Sequence, residues 1–268
     1  MPWAATDIGE DELVRWIERS IADASHILAR GYQGQVYLYQ DGRQRYVIKA
    51  ASGSGVLRWL RTRMLRREFR VYDRLQGYSG SPRCYGLLRG RYLVLEYVDG
   101  PPLRHAPIED RAVFYQTLFD QIQALHARGV AHSDLKRKDN LLVVDGRRPC
   151  LIDFGAAILR KPGFAPLNHF LFRTAVRFDF NAWIKLKYNN RLDEIAGADR
   201  IYYRRTWVEK AARRTKRRPT SATPATTFIP TIAASCKTRS SGPCATKRTI
   251  ARPIASSCPT ARFVGSRP

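Results

Sequence analysis

Residues 129–157, GVAHSDLKRKDNLLVVDGRRPCLIDFGAA, hold the densest set of chemically capable side chains in this 268-residue chain. Asp153 follows Asp134 by 19 positions, and two short apolar runs around an Asp145-Gly146 turn lie between them. A carboxylate beside a hydroxyl can orient it and take its proton. A second carboxylate can hold a hard cation such as Mg2+, which prefers oxygen ligands. Upstream, Lys49 closes a strand-like run in Val-Ile-Lys-Ala, and Glu68 follows 19 positions later on a helical pattern, suitably placed to pair with it. His-x-Asp and Asp-Phe-Gly each occur by chance in many proteins. Together, in this order and with a strand–turn–strand between them, they form a strong signal.

These residues resemble the catalytic and metal-binding stretch of protein kinases, His-x-Asp…Asn followed by Asp-Phe-Gly. The resemblance implies that Asp134 faces the acceptor hydroxyl and that His132 buttresses its loop. Lys136 takes the place where many Ser/Thr protein kinases set a lysine near the transferred phosphate, and Asp153 holds Mg2+ on the phosphates. The family leaves four residues between the aspartate and its metal-binding asparagine; here five separate Asp134 from Asn140. Either the loop is one residue longer and Asn140 binds metal, or Asp139 takes that position. Asn140 is favoured because it directly precedes the Leu141-Leu142 strand.

The upstream half supplies matching parts. Lys49 corresponds to the lysine that pairs the α- and β-phosphates, with Glu68 as its partner; an ordinary solvated strand end and helix glutamate are the bland alternatives. Gly31 and Gly34 match the last two glycines of the glycine-rich loop, Ala29 replaces the first, and Val36 matches the apolar cover over adenine. Glu96-Tyr97-Val98 resembles the hinge that binds adenine through backbone groups. The cofactors implied are ATP and Mg2+. The match covers about residues 25–160. Within the superfamily the chain resembles the compact bacterial branch that contains lipopolysaccharide (Kdo/heptose) kinases and RIO-type kinases. A helix precedes the glycine loop, Ser133 replaces the usual arginine, and no Ala-Pro-Glu follows Asp-Phe-Gly. The expected function is phosphoryl transfer to a hydroxyl acceptor, a sugar lipid or other small molecule. A Ser/Thr protein kinase is the close alternative, and a nucleotide-binding pseudokinase the next. Retention of the metal-binding residues argues against the pseudokinase.

Periodicity predicts the elements that must position these groups. Residues 9–29 read as a helix, followed by two strands around Asp41-Gly42, a helix over 56–76 and a strand over 91–98. A helix over 108–128 stops at Arg128-Gly129; two short strands follow, then helices over 166–188 and 199–214. The fold class is therefore α+β: a β-rich N-lobe (about 1–98) and an α-rich C-lobe (about 102–214), with a cleft between them.

The formal charge is +24, but after Glu209 there is no acidic residue and 13 Lys or Arg, so residues 1–209 carry only +11. Residues 215–268 lose all periodicity and read as a disordered or frameshift-derived tail. Charge alone points to nucleic acid, and no recognition motif supports that partner. Arg58, Arg61, Arg63, Arg66, Arg67 and Arg70 crowd the Glu68 helix. They form either a patch for an anionic acceptor or membrane surface, or a solvated helix face. Five cysteines without metal-like spacing read as free thiols. With no signal peptide and no apolar run of spanning length, the expected location is cytoplasmic, with the inner membrane face as a peripheral site.

Overall fold

The computed structural model describes residues 8–31, 34–42 and 44–204. The tail expected over 215–268, and most of the helix expected over 199–214, lie outside the described residues; 199–202 form one 3-10 turn. No helix among the described residues is long and apolar enough to cross a membrane.

Helix α1 (Glu10–Ala22) comes first, with Glu10, Asp11 and Glu12 in its first turn, where negative charge suits the helix dipole. It is shorter than the spacing predicts. Ala24 and His26 take positive φ, 48° and 56°, which ends the helix, and residues 27–31 become strand β1 instead. Strands β2 (Gly34–Asp41) and β3 (Gln44–Ala50) form the hairpin expected around Asp41-Gly42. Helix α2 (Gly55–Arg74) follows, then β4 (Cys84–Leu88) and β5 (Tyr92–Glu96), giving an antiparallel sheet ordered β1-β2-β3-β5-β4.

The two-residue alternation of strands decides which side chains meet what. Tyr46, Ile48 and Ala50 of β3, with Tyr92 and Val94 of β5, pack in the core beneath α1 around Leu13 and Ile17. The odd-numbered positions face the other way: Leu93 and Leu95 join the core that holds Leu65, Val71 and Tyr72 of α2. Lys49 lies directly opposite Leu93, and opposite Val36 on its other side, so it shares that second face.

The helical part opens with α3 (Arg111–Ala127), whose N-cap Asp110 accepts the Val113 N–H at 3.0 Å. Gly129, at φ 72°, turns the chain after it into the two-residue strand β6 (Val130–Ala131). Hairpin β7 (Leu141–Val144) and β8 (Arg148–Leu151) turns at Asp145-Gly146, both at positive φ as a tight hairpin requires. Strand β9 (Ile158–Leu159) pairs with β6, and α4 (Pro166–Lys187) packs on α3 through the fully buried Trp183, whose indole N–H donates to the Tyr115 carbonyl. A β-rich part and an α-rich part are thus present, as the sequence predicts.

Candidate active site

Lys49 reaches the space between the sheet and the helical part because β3 aims it away from the α1 side. There its Nζ donates to Glu68 Oε1 at 2.6 Å and to Asp153 Oδ1 at 2.9 Å. Glu68 is supplied by the inward face of α2 and is wholly buried; Asp153 sits just after β8 and stays partly open to solvent. Burial alone would lower the Lys49 amine, but the Glu68 and Asp153 charges and hydrogen bonds outweigh it and raise its pKa. Burial likewise pushes the Asp153 carboxyl up, and the neighbouring Lys49 ammonium and its hydrogen bond bring it below its ordinary value.

The loop between β6 and β7 is braced from below. His132 is buried; its Nε2 lies 3.0 Å from the Ile152 carbonyl, and its Nδ1 lies 3.4 Å from the Asp134 N–H. A carbonyl only accepts, so the proton belongs on Nε2 and Nδ1 accepts. The ring also packs on Phe154, which meets Tyr72 of α2 edge-on at 5.2 Å. Asp134 is partly buried and the loop cations Lys136 and Arg137 are exposed, with the Arg137 guanidinium 3.8 Å from Asp134 Oδ2.

Asn140 is buried and donates its Nδ2 to the Asp134 carbonyl at 3.2 Å, so its Oδ1 faces away from that bond. Its own carbonyl accepts the Ile152 N–H, which ties it to the backbone that carries Asp153. Asp139 is exposed and occupied: both its oxygens accept from Arg104, at 2.9 and 2.8 Å, and that hydrogen-bonded guanidinium lowers its pKa.

Of the remaining sequence-predicted residues, Gly31 and Gly34 face each other across the β1–β2 turn. Gly34 has φ 146°, and a side chain there would meet the Ala50 carbonyl oxygen at 2.1 Å. Val36 is half-buried on the Lys49 face. Glu96 turns its carboxylate to the Arg83 N–H at 2.9 Å, and Val98 is half-buried in the stretch that leads to Pro101, whose carbonyl accepts from Val143.

Sequence reasoning missed Asp179 of α4. Fully buried, it accepts the backbone N–H groups of His132 and Ser133 at 2.8 Å each and touches His126 Nε2 at 2.9 Å. It thereby fixes the loop that bears Asp134 while Ser133 holds a positive φ of 69°. The only available signal was a carboxylate among the apolar positions of a helix that buries Phe172, Ala175 and Trp183.

The residues present fit a magnesium-bound nucleotide. Mg2+ commonly takes one or two carboxylates and fills its shell with water and substrate phosphates. Asp153 Oδ2 and Asn140 Oδ1 are the oxygens left over by the hydrogen bonds above. Among the described residues no group of three or more His, Cys, Asp or Glu is gathered for a metal, as a site completed by phosphates does not require one.

Comparison with known proteins agrees with this architecture. The chain is similar to serine/threonine-protein kinase Pkn1 of Myxococcus xanthus, 40% identical over 77 residues, covering 25% of this chain and 11% of that protein. It is also similar to serine/threonine-protein kinase D of Synechocystis, 28% identical over 144 residues, covering 48% of this chain and 28% of the relative. The matched parts are thus under a third of these relatives' own lengths. The family model of the RIO domain matches residues 26–167, just over half of the chain, from the residue before β1 to the first turn of α4. With that match resting on the same elements that bring Lys49, Glu68 and Asp153 together, the chain belongs to the RIO domain family and has a protein-kinase-like fold.

Proposed function

We propose that this chain is an ATP-dependent phosphotransferase that moves the γ-phosphate to a hydroxyl acceptor. The observation that carries the reading is the meeting of one amine from the sheet with a carboxylate from α2 and another from the segment after β8. An ammonium has three donors, and these two carboxylates use two of them. The third is available to a phosphate oxygen.

In this reading Lys49, held by buried Glu68, pairs with the nucleotide phosphates, and the backbone at Gly31 and Gly34 with Val36 covers the nucleotide. Val98 and the backbone of Glu96 border the adenine. Asp153 and Asn140 hold Mg2+, which when bound neutralises phosphate charge. Asn140 is preferred over Asp139 because Arg104 engages both Asp139 oxygens. Asp134 accepts the proton of the acceptor hydroxyl as the acceptor oxygen bonds to phosphorus and the bond to the ADP oxygen breaks. Lys136 stabilises the transferred phosphoryl group, and His132 positions the loop.

The acceptor favoured is a sugar lipid presented at the cytoplasmic face of an anionic membrane, as in the lipopolysaccharide kinases that the sequence resembles. A protein serine or threonine hydroxyl is the second reading, favoured by Lys136 and by the names of the relatives. The test is transfer of label from radioactive ATP by the purified chain to lipopolysaccharide precursors and, separately, to protein acceptors. Asp153→Ala should lower transfer by about 100-fold or more. Unchanged transfer in that variant would remove the metal assignment.

A further inference from the structure

Helix α2 carries Glu68 inward and something different outward. Positions 56, 59, 60 and 63 recur at helical spacing and form one stripe, continued by 66 and 70. Its first half is apolar and open: Val56 is 74% exposed, Trp59 60%, Leu60 45%, with Leu57 beside them at 48%. Its second half is basic. Arg58, Trp59, Arg63, Arg66, Phe69 and Arg70 line an open concavity of about 720 Å3. No carboxylate among the described residues pairs with these four arginines. The one acidic residue between 55 and 72 is Glu68, which is buried against Lys49. Arg63 lies over the Trp59 ring at 6.0 Å, and Arg66 donates to the Gly90 carbonyl, so these side chains are held rather than neutralised.

Four like charges around one concavity repel one another, and a half-exposed tryptophan–aliphatic run gains nothing from water. A partner that is anionic at its surface and apolar just beneath removes both penalties. We infer that the outer face of α2 docks on an anionic lipid bilayer: Arg58, Arg63, Arg66 and Arg70 meet lipid phosphates, and Val56, Leu57, Trp59 and Leu60 enter the headgroup–acyl boundary. Single-stranded nucleic acid would use the arginines and could stack on Trp59, but it has no use for three exposed aliphatic side chains. The inference rests on the lipid-acceptor reading only for its purpose, since docking by α2 brings the protein to the surface where such an acceptor lies. The site itself is separate from Asp134 and Asp153.

The test is partitioning of the full chain onto phosphatidylcholine vesicles with and without phosphatidylglycerol, read by co-sedimentation. Binding should need the anionic lipid and weaken as salt rises. Arg63→Ala/Arg70→Ala should reduce it about 25-fold, at roughly fivefold per arginine. Trp59→Ser, which keeps the charge, should reduce it roughly tenfold. All of these side chains are exposed, and unchanged thermal melting would show that the variants fold. Partitioning unmoved by either variant would assign binding to the basic residues beyond Glu209 and overturn the inference. Tighter binding to polyuridylate than to vesicles, lost in the same variants, would overturn it in favour of nucleic acid. Asp153→Ala separates the two claims: it should dock like the wild type while its phosphate transfer falls by about 100-fold or more. Docking without labelling of any lipid acceptor would leave the surface standing and remove the acceptor reading.

Discussion

Lys49 bridges two carboxylates of very different surroundings, and the difference sets what each substitution does. Glu68 is wholly buried, so removing its partner strands a charge with no access to water. Lys49→Met should therefore destabilise the fold by about 3–5 kcal/mol in urea unfolding. Adding Glu68→Gln to that variant should restore part of the loss, because the stranded charge is gone. Additive losses in the double variant would show that the pair does not act through charge. Asp153 is partly exposed, and its lowered pKa fixes the sign of its pH dependence. A carboxyl depressed on folding contributes stability that is complete above its unfolded value, about 3.9. That contribution fades as pH falls from there through the lower folded value. The stability gap between wild type and Asp153→Asn should thus stay level from neutral pH down to that range and narrow below it. A gap that narrowed already near pH 6 would point to a histidine instead.

Elements differ in how openly the sequence declares them, and the reason is the range of the contacts involved. Helices α2, α3 and α4 follow their apolar spacing closely, and hairpins β2–β3 and β7–β8 follow their Gly turns, since both signals are local. Strand β1 was hidden because Ile-Leu-Ala-Arg continues a helical pattern, and what stops α1 is backbone at Ala24 and His26 with no proline or glycine to mark it. Strand β4, Cys-Tyr-Gly-Leu-Leu, carries a register shift beside Gly86, which breaks the two-residue alternation that would announce it. Lys49, Glu68, Asp134 and Asp153 could be picked out because they belong to motifs. Asp179 could not, as its meaning depends on a loop 46 and 47 positions earlier in the chain. It is the post on which α4 holds that loop. Asp179→Ala would leave two backbone donors buried without an acceptor and should cost ~3 kcal/mol or more. Asp179→Asn, which keeps an acceptor for one of the two N–H groups, should cost less. Equal stability of Asp179→Ala and wild type in urea would show that the loop is held by other means.

At the scale of the whole molecule the sheet with α2 meets the helical part through polar and aromatic contacts among the described residues. Besides the Lys49–Asp153 pair, Arg67 of α2 donates to the Ala157 carbonyl at 2.7 Å, and Phe154 packs on Tyr72. A ligand held by groups from both parts adds links that exist only in the folded chain, so binding must raise the unfolding temperature. At a nucleotide concentration 100 times its Kd the gain is about 2.7 kcal/mol. For a domain near 200 residues that corresponds to about 5–11 °C. The metal must account for part of it if Asp153 and Asn140 hold Mg2+ against the phosphates. ATP with Mg2+ should therefore stabilise the wild type more than ATP with EDTA, and Asp153→Ala should respond equally to both. Lys49→Met tests the other side of the cleft: its response to nucleotide should fall whether or not metal is present, because the lost group is the amine that faces the phosphates. A wild-type melting temperature indifferent to Mg2+ at saturating ATP would mean that the carboxylate after β8 has some other task, and the phosphotransfer reading would lose its cation.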